Sequence, residues 1–261
     1  MTLIDAHVHL RSGKLARVRP RISAEAALQL LLEDMATAGV DTSLLVTWAE
    51  DVPVVAREAA AQPGKLYSLV WFDSRNPSES LSQLVTLADQ FPSVVIGAKT
   101  VFPYLRQHPL QPEFMPFYAF CQDRRLPIQF HFGGSPVMEA LCHPNLFAVL
   151  ARAFPHLTIV CLHTGGGWSR ELPHLLRHHP NVYVETEYLQ LHEAELNMPP
   201  QLVPHFLQNW GLTRVMFGSD RVRPEAKYFR RVELVKALPQ IVRDDLCYRN
   251  ARAAYRLNGY R

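Results

Sequence analysis

The sequence predicts an α/β fold, a single-domain (β/α)8 TIM barrel over residues 1–261, and three observations predict it. Eight short runs of β-branched, aliphatic or aromatic residues alternate with segments of helical apolar period. The runs are largely apolar rather than strictly alternating, which suits parallel strands covered by helices. Residues able to bind or use a metal recur where the runs end. In a closed barrel those ends converge on one mouth, whereas an open doubly wound sheet would scatter them.

The first run, Leu3 to Leu10, carries His7 and His9 two residues apart, so both are expected on one face with Asp5 beneath them. A basic loop, Arg11 to Arg21, leads to Ser23, which can cap a helix running to Ala38 before Gly39 ends it. The second run is Thr42–Trp48. A helix over Val52–Ala61 stops before Pro63-Gly64, and Leu66–Phe72 follows. A helix over Ser78–Gln90 precedes the run Val94–Lys99, and one over Glu113–Arg124 precedes Pro127–His131. The helix Asn145–Ala153 leads to Thr158–His163, and the last two runs are Val182–Glu185 and Val215–Gly218. The repetition is one of structure, with no repeat of sequence.

Composition narrows the function. A chain of 261 residues, 48% hydrophobic and 20% charged, reads as an ordinary soluble globular protein. No stretch approaches the length of a membrane span, and acidic Asp5 inside the first apolar run argues against a signal peptide, so a cytoplasmic location is expected. Cys121, Cys142, Cys161 and Cys247 lack any paired short spacing, which argues against a zinc knuckle and a disulfide framework. A net charge of +3 is too mild for a nucleic-acid binder and better suits a small anionic substrate.

The candidate site residues are those at the run ends. His7 and His9 end the first run, Lys99 the fourth, His131 the fifth and His163 the sixth, while Asp220 follows the eighth. Two neutral imidazoles bind a divalent transition metal but need further ligands from other strands, which these positions supply. Arg11, Lys14, Arg17, Arg19 and Arg21 lie in the first loop, and Arg75, Arg106, Arg221 and Arg223 follow other runs. Guanidinium groups pair with carboxylates, so one or two of them could hold an acidic substrate. Trp48 and Trp71 could wall a ring or lactone, or pack in the top layer of the barrel. Glu185 and Glu187 could reach the mouth or pair with its arginines.

Taken in order, Ile4-Asp5-Ala6-His7-Val8-His9, Phe130-His131-Phe132-Gly133-Gly134, Phe154-Pro155 leading to His163-Thr164-Gly165-Gly166-Gly167, Pro180-Asn181-Val182-Tyr183-Val184-Glu185, Phe217-Gly218-Ser219-Asp220 and Asn250-Ala251 resemble the amidohydrolase superfamily. The match is to its amidohydrolase-related branch, which includes aminocarboxymuconate semialdehyde decarboxylase-like and pyrone dicarboxylate lactonase-like enzymes. The resemblance covers the whole chain. It implies one divalent metal ion, zinc before manganese, held by His7, His9, His131 and Asp220, with His163 as acid/base or, as in some relatives, a further ligand, and Asp220 as ligand, proton acceptor or both. It also implies a substrate-facing Lys99, with a carboxylated lysine bridging two metals as the alternative. A homodimer is an expectation of the family alone, and Val203–Leu207 could join subunits or pack on the barrel.

Two departures from the family pattern bear on the substrate. A proline often follows the last aspartate closely in relatives, whereas this chain reads Asp220-Arg221-Val222-Arg223-Pro224. The chain is also short for a decarboxylase-like member. Three functions therefore stand open: a metal-dependent hydrolase of a lactone, amide or ester, a metal-dependent non-oxidative decarboxylase, and a non-catalytic binding barrel. Fold alone does not choose among them.

Overall fold

A computed structural model describes residues 2–11, 22–133, 139–168, 171–187, 214–222 and 226–257. Lys14, Arg17, Arg19, Arg21, Arg223, His192, His205 and the segment Val203–Leu207 lie outside them. Eight strands, β1 (Ile4–His9), β2 (Thr42–Thr47), β3 (Leu66–Trp71), β4 (Val95–Thr100), β5 (Ile128–Phe130), β6 (Ile159–Cys161), β7 (Val182–Glu185) and β8 (Val215–Met216), pair in sequence order. Every pairing from β1 to β8 is parallel. The ring closes where the Ala6 amide donates to the Phe217 carbonyl at 3.0 Å and the His9 amide donates to the Arg221 carbonyl at 2.8 Å. The fold is the (β/α)8 barrel that the alternation predicts.

The helices are α1 (Ala24–Ala38), α2 (Val52–Ala61), α3 (Pro77–Gln90), α4 (Met115–Asp123), α5 (Pro144–Ala153), α6 (Leu172–His178), α7 (Ala226–Lys236), α8 (Gln240–Asp244) and α9 (Asn250–Tyr255). Helix α1 shows why the local signals were readable. The Ser23 hydroxyl accepts from the Ala26 amide at 3.1 Å, Gly39 takes the left-handed conformation at φ 67°, and Ala24, Ala27, Leu28, Leu31 and Met35 form one buried stripe. The helix expected over Glu113–Arg124 starts later, at Met115, behind a 3-10 turn at Pro112–Phe114. Pro116 has no amide hydrogen and is tolerated only in a first turn, so it sets that start.

Side chains divide into two cores. The larger lies between strands and helices; the smaller fills the barrel with Ile4, Ala6, Leu44, Leu69, Val160, Leu162 and Met216. Helix α9 extends the inner core with Ala251, Ala254 and Tyr255, and the Gln129 amide donates to the Tyr255 hydroxyl at 2.9 Å and to the Ala6 carbonyl at 2.6 Å. One end of the barrel is thereby plugged, which leaves the C-terminal ends of the strands as the open end. No helix among the described residues is long and apolar enough to cross a membrane.

His7 and His9 share a face as expected, both reaching Asp220 Oδ1, but the expectation that Asp5 sits beneath them needs correction. The β1–β2 register breaks between Asp5 and Val8, with Ile4 and Ala6 in the inner core and Val8 and Leu10 in the outer one. Asp5 turns to β8 instead, where its carboxylate accepts from the Ser219 amide at 2.9 Å and the Ser219 hydroxyl at 2.6 Å. The register shift re-aims the side chains that follow it.

Candidate metal centre

The strands β5, β6 and β8 stop one to four residues before their chemistry-bearing side chains, so His131, His163 and Asp220 sit in the first residues past the ladder. His163, Thr164 and Asp220 are held in left-handed backbone, at φ 56°, 54° and 46°. Such conformations cost on the order of 1–3 kcal/mol each and persist where surrounding contacts fix them. For His163 one such contact is its own amide, which donates to Glu185 Oε2 at 3.1 Å.

Asp220 Oδ1 lies 3.4 Å from His7 Nε2 and 3.3 Å from His9 Nε2. These three residues offer ligand atoms within 4.8 Å of one another, and two further sets of the same kind overlap them: His7, His163 and Glu185, and His163, Glu187 and Asp220. Glu185 Oε2 sits 3.3 Å from His7 Nδ1, and His163 Nδ1 sits 3.1 Å from Glu187 Oε2. His131 joins through His163, whose Nε2 is 2.9 Å from His131 Nδ1. The structure therefore brings His7, His9, His131, His163 and Asp220 together.

Electrostatics prepare the imidazoles as ligands. Burial, reinforced by Lys99 and neighbouring histidines and opposed by Asp220, holds His7 and His131 well below the usual imidazole range. Burial pushes the Asp220 carboxyl up, but the imidazoles of His7, His9 and His163 outweigh it and hold the group well below the carboxylate range. Burial, with Glu187 beside it, raises Glu185 well above its ordinary value. The Nε2 atom of His7 is buried without a hydrogen-bond partner among the described residues. An orphaned nitrogen in a ring of anionic and imidazole donors fits a divalent cation.

Lys99 is buried at 1% exposure, and its Nζ has no hydrogen-bond partner among the described residues. Burial pushes its ammonium down to about 7 against the pull of Asp220 and Glu185. Trp48 and Trp71 face each other with ring centroids 4.9 Å apart, and Trp48 is 37% exposed. The two rings meet where β2 and β3 end.

The arginine expectations divide. Arg11 is at the rim, but its Nε and Nη2 are taken by Asp51 at 2.8 and 2.6 Å. Arg75 pairs with Asp73 in its own loop. Arg221, expected to hold substrate, spends its guanidinium on a carboxylate of the chain itself. It is buried, donates twice to Asp34 Oδ2 of α1 at 2.8 and 2.6 Å, and lies over the Tyr228 ring. The pair ties α1 to the end of the barrel. Arg221→Met, which leaves Asp34 without its cation, is expected to cost about 3 kcal/mol in chemical denaturation, and the added change Asp34→Asn to recover part of it.

Three contributors were not assigned chemistry from sequence. Tyr104 brings its ring within 4.6 Å of His131 while 53% exposed, placing a phenol at the rim four residues past β4. Arg231 of α7 donates to Glu187 Oε1 and to the Ser219 carbonyl. Gly218 is required by space, because a Cβ there would stand 2.6 Å from the Glu185 carboxylate. A glycine just before Ser219-Asp220 was the available signal for that close approach.

The family model described as Amidohydrolase matches residues 4–257. No curated protein matches the chain. Among solved structures, a TIM-barrel protein from Bordetella bronchiseptica is similar at 22% identity and a TM-score of 0.74, with 100% of each chain covered. The 5-carboxyvanillate decarboxylase of Sphingomonas paucimobilis is similar at 17% identity and a TM-score of 0.67, covering 98% of this chain and 99% of that one. A dihydroxybenzoic acid decarboxylase from a Polaromonas species, with bound manganese, is similar at 13% identity and a TM-score of 0.70, covering 99% and 98%. At these identities the structural likenesses speak for the barrel alone, whereas the family model spans β1, with His7 and His9, through the helix that plugs the barrel. The chain belongs to the amidohydrolase family.

Proposed function

We propose that the chain is a metal-dependent hydrolase that opens a lactone, amide or ester bond in a small carboxylate-bearing substrate. The observation that carries this reading is the buried His7 Nε2, without a hydrogen-bond partner among the described residues and 3.4 Å from Asp220 Oδ1, with His9 on the same carboxylate oxygen. His7, His9, His131 and Asp220 would hold one divalent ion, zinc before manganese, which when bound supplies a water of near-neutral pKa and a positive charge for a developing oxyanion. Asp220, held ionised, is suited to accept a proton from the attacking water. His163, which contacts Glu187 through Nδ1, would return a proton to the leaving group. Lys99, whose Nζ has no hydrogen-bond partner among the described residues, would offer a buried ammonium to a substrate carboxylate, and the Trp48–Trp71 pair would offer a flat apolar wall to a ring.

Non-oxidative decarboxylation is the second reading. Similar structures described as decarboxylases of carboxylated phenols support it. In that reaction Asp220 or His163 would give a proton to the carbon that loses carbon dioxide, a role less suited to an acid as strong as Asp220. One assay separates the two. Zinc- or manganese-loaded protein is offered lactones and esters of carboxylic acids, followed by acid release, and dihydroxybenzoates, followed by carbon dioxide release. Acid release is the expected result; carbon dioxide release alone would transfer the protein to the lyases, and neither would leave a binding barrel.

A further inference from the structure

We propose that Glu171, His174 and His178 form a second metal site on the outside of the barrel, one that takes a divalent transition ion such as zinc and shares no residue with the centre at the strand ends. The three residues belong to one helical stripe. Helix α6 runs Leu172–His178, and Glu171, the residue before it, has helical backbone at φ −85° and ψ −27°. The helical phase therefore reaches back to Glu171, and side chains at i, i+3 and i+7 share a face.

The two imidazoles are already paired. Their ring centroids stand 4.4 Å apart with the planes tilted by 55°, and both residues are exposed, so an ion reaches them from solvent. Histidines four residues apart on one helix face have the spacing with which a helix chelates zinc. Glu171 lines the same cleft, a hollow of about 360 Å³ between α5 and α6 whose other walls include His143, Asn145 and His179. It too is exposed, so its carboxylate reaches the pair by side-chain rotation. His143 stays outside the donor set, because its Nδ1 accepts from the Asn145 amide at 3.1 Å, which leaves the ring hydrogen on Nε2.

A carboxylate on the stripe selects a cation over an anion, as does the C-terminal end of α6, where His178 sits and the peptide dipole favours positive charge. Arg152, which faces His179, and Arg177 oppose it. Both arginines are exposed, so solvent and salt screen them. Imidazole with a carboxylate suits zinc, copper or nickel rather than magnesium or calcium. A chain holding two metal ions would on this account need no bridging, carboxylated Lys99.

The test is zinc binding by the full chain, stripped with a chelator and dialysed against zinc alone, with the metal counted per chain. Wild type is expected to bind two ions, and His7→Ala and the double variant His174→Gln/His178→Gln one each. In the His7→Ala background, which isolates the outer site, His174→Gln is expected to weaken binding roughly 100-fold, because the second imidazole binds intramolecularly, and Glu171→Gln roughly 10-fold through the lost charge. The three outer side chains are exposed, so thermal unfolding of these variants should match the parent.

Unchanged zinc content in His174→Gln/His178→Gln, unchanged affinity in Glu171→Gln, or no zinc on His7→Ala at about 100 μM free ion would overturn the proposal. The first comparison decides the matter if His7→Ala does not fold. The outer site stands apart from the proposed hydrolase. One zinc kept in His7→Ala and lost in His174→Gln/His178→Gln would overturn the barrel metal and leave this site, and the reverse would overturn this site and leave the barrel metal.

Discussion

Asp220→Asn is expected to abolish turnover, by roughly a thousand-fold or more, while the protein folds and its barrel is intact. Asparagine keeps the shape of the side chain but removes the charge that faces His7 Nε2 and His9 Nε2 at 3.4 and 3.3 Å. Two functions go together: an anionic ligand and the base for the attacking water. Metal per chain after dialysis should fall in step with activity. Because the variant loses a buried negative charge, His7 loses the carboxylate that favours its charged form, and burial alone then sets its depressed imidazole. A variant that kept both its metal and more than about a tenth of its rate would remove Asp220 from the proton transfer, since general-base catalysis alone is worth about a hundred-fold or more.

Much of this centre was legible because barrels put their chemistry at strand ends, and the strand ends carry local signals. His7 and His9 share a run with a clear apolar frame, and His131, His163 and Asp220 each close an apolar run in a chain with a parallel-sheet pattern. What sequence could not carry is the direction in which a long side chain leaves its backbone. Arg221 and Arg231 are the same residue type ten positions apart, yet one pairs outward with Asp34 and the other reaches inward to Glu187. That difference is decided by the β8–β1 bridge at Arg221 and by the helical phase of α7, both tertiary facts. Helix α7 itself was hidden because Lys227, Arg230, Arg231 and Glu233 dilute the stripe of Tyr228, Val232 and Val235. The register break in β1 left no mark that composition could show, so a strict period of two placed Asp5 beneath His7 and His9 rather than against Ser219.

Lys99→Met is the substitution expected to stabilise the fold most while damaging function. The native ammonium is buried without a hydrogen-bond partner among the described residues, and burial brings it from 10.5 down to about 7. A lysine depressed in the folded state binds fewer protons there than in the unfolded chain between those two values. Folding stability on this account is therefore fully present above the unfolded value, falls as pH drops from about 10 toward 7, and is lowest below 7. The whole depression corresponds to at most about 5 kcal/mol, and methionine, of similar length and no charge, is expected to recover about 3 kcal/mol of it in acid-side denaturation of metal-free protein. The gain should shrink steadily as the pH approaches 10.5. Activity should move the other way, with KM for a carboxylate-bearing substrate rising far more than for its neutral ester. A loss of stability at every pH would mean that the folded chain already compensates the Lys99 charge, and a compensated ammonium would have no vacancy for a substrate carboxylate.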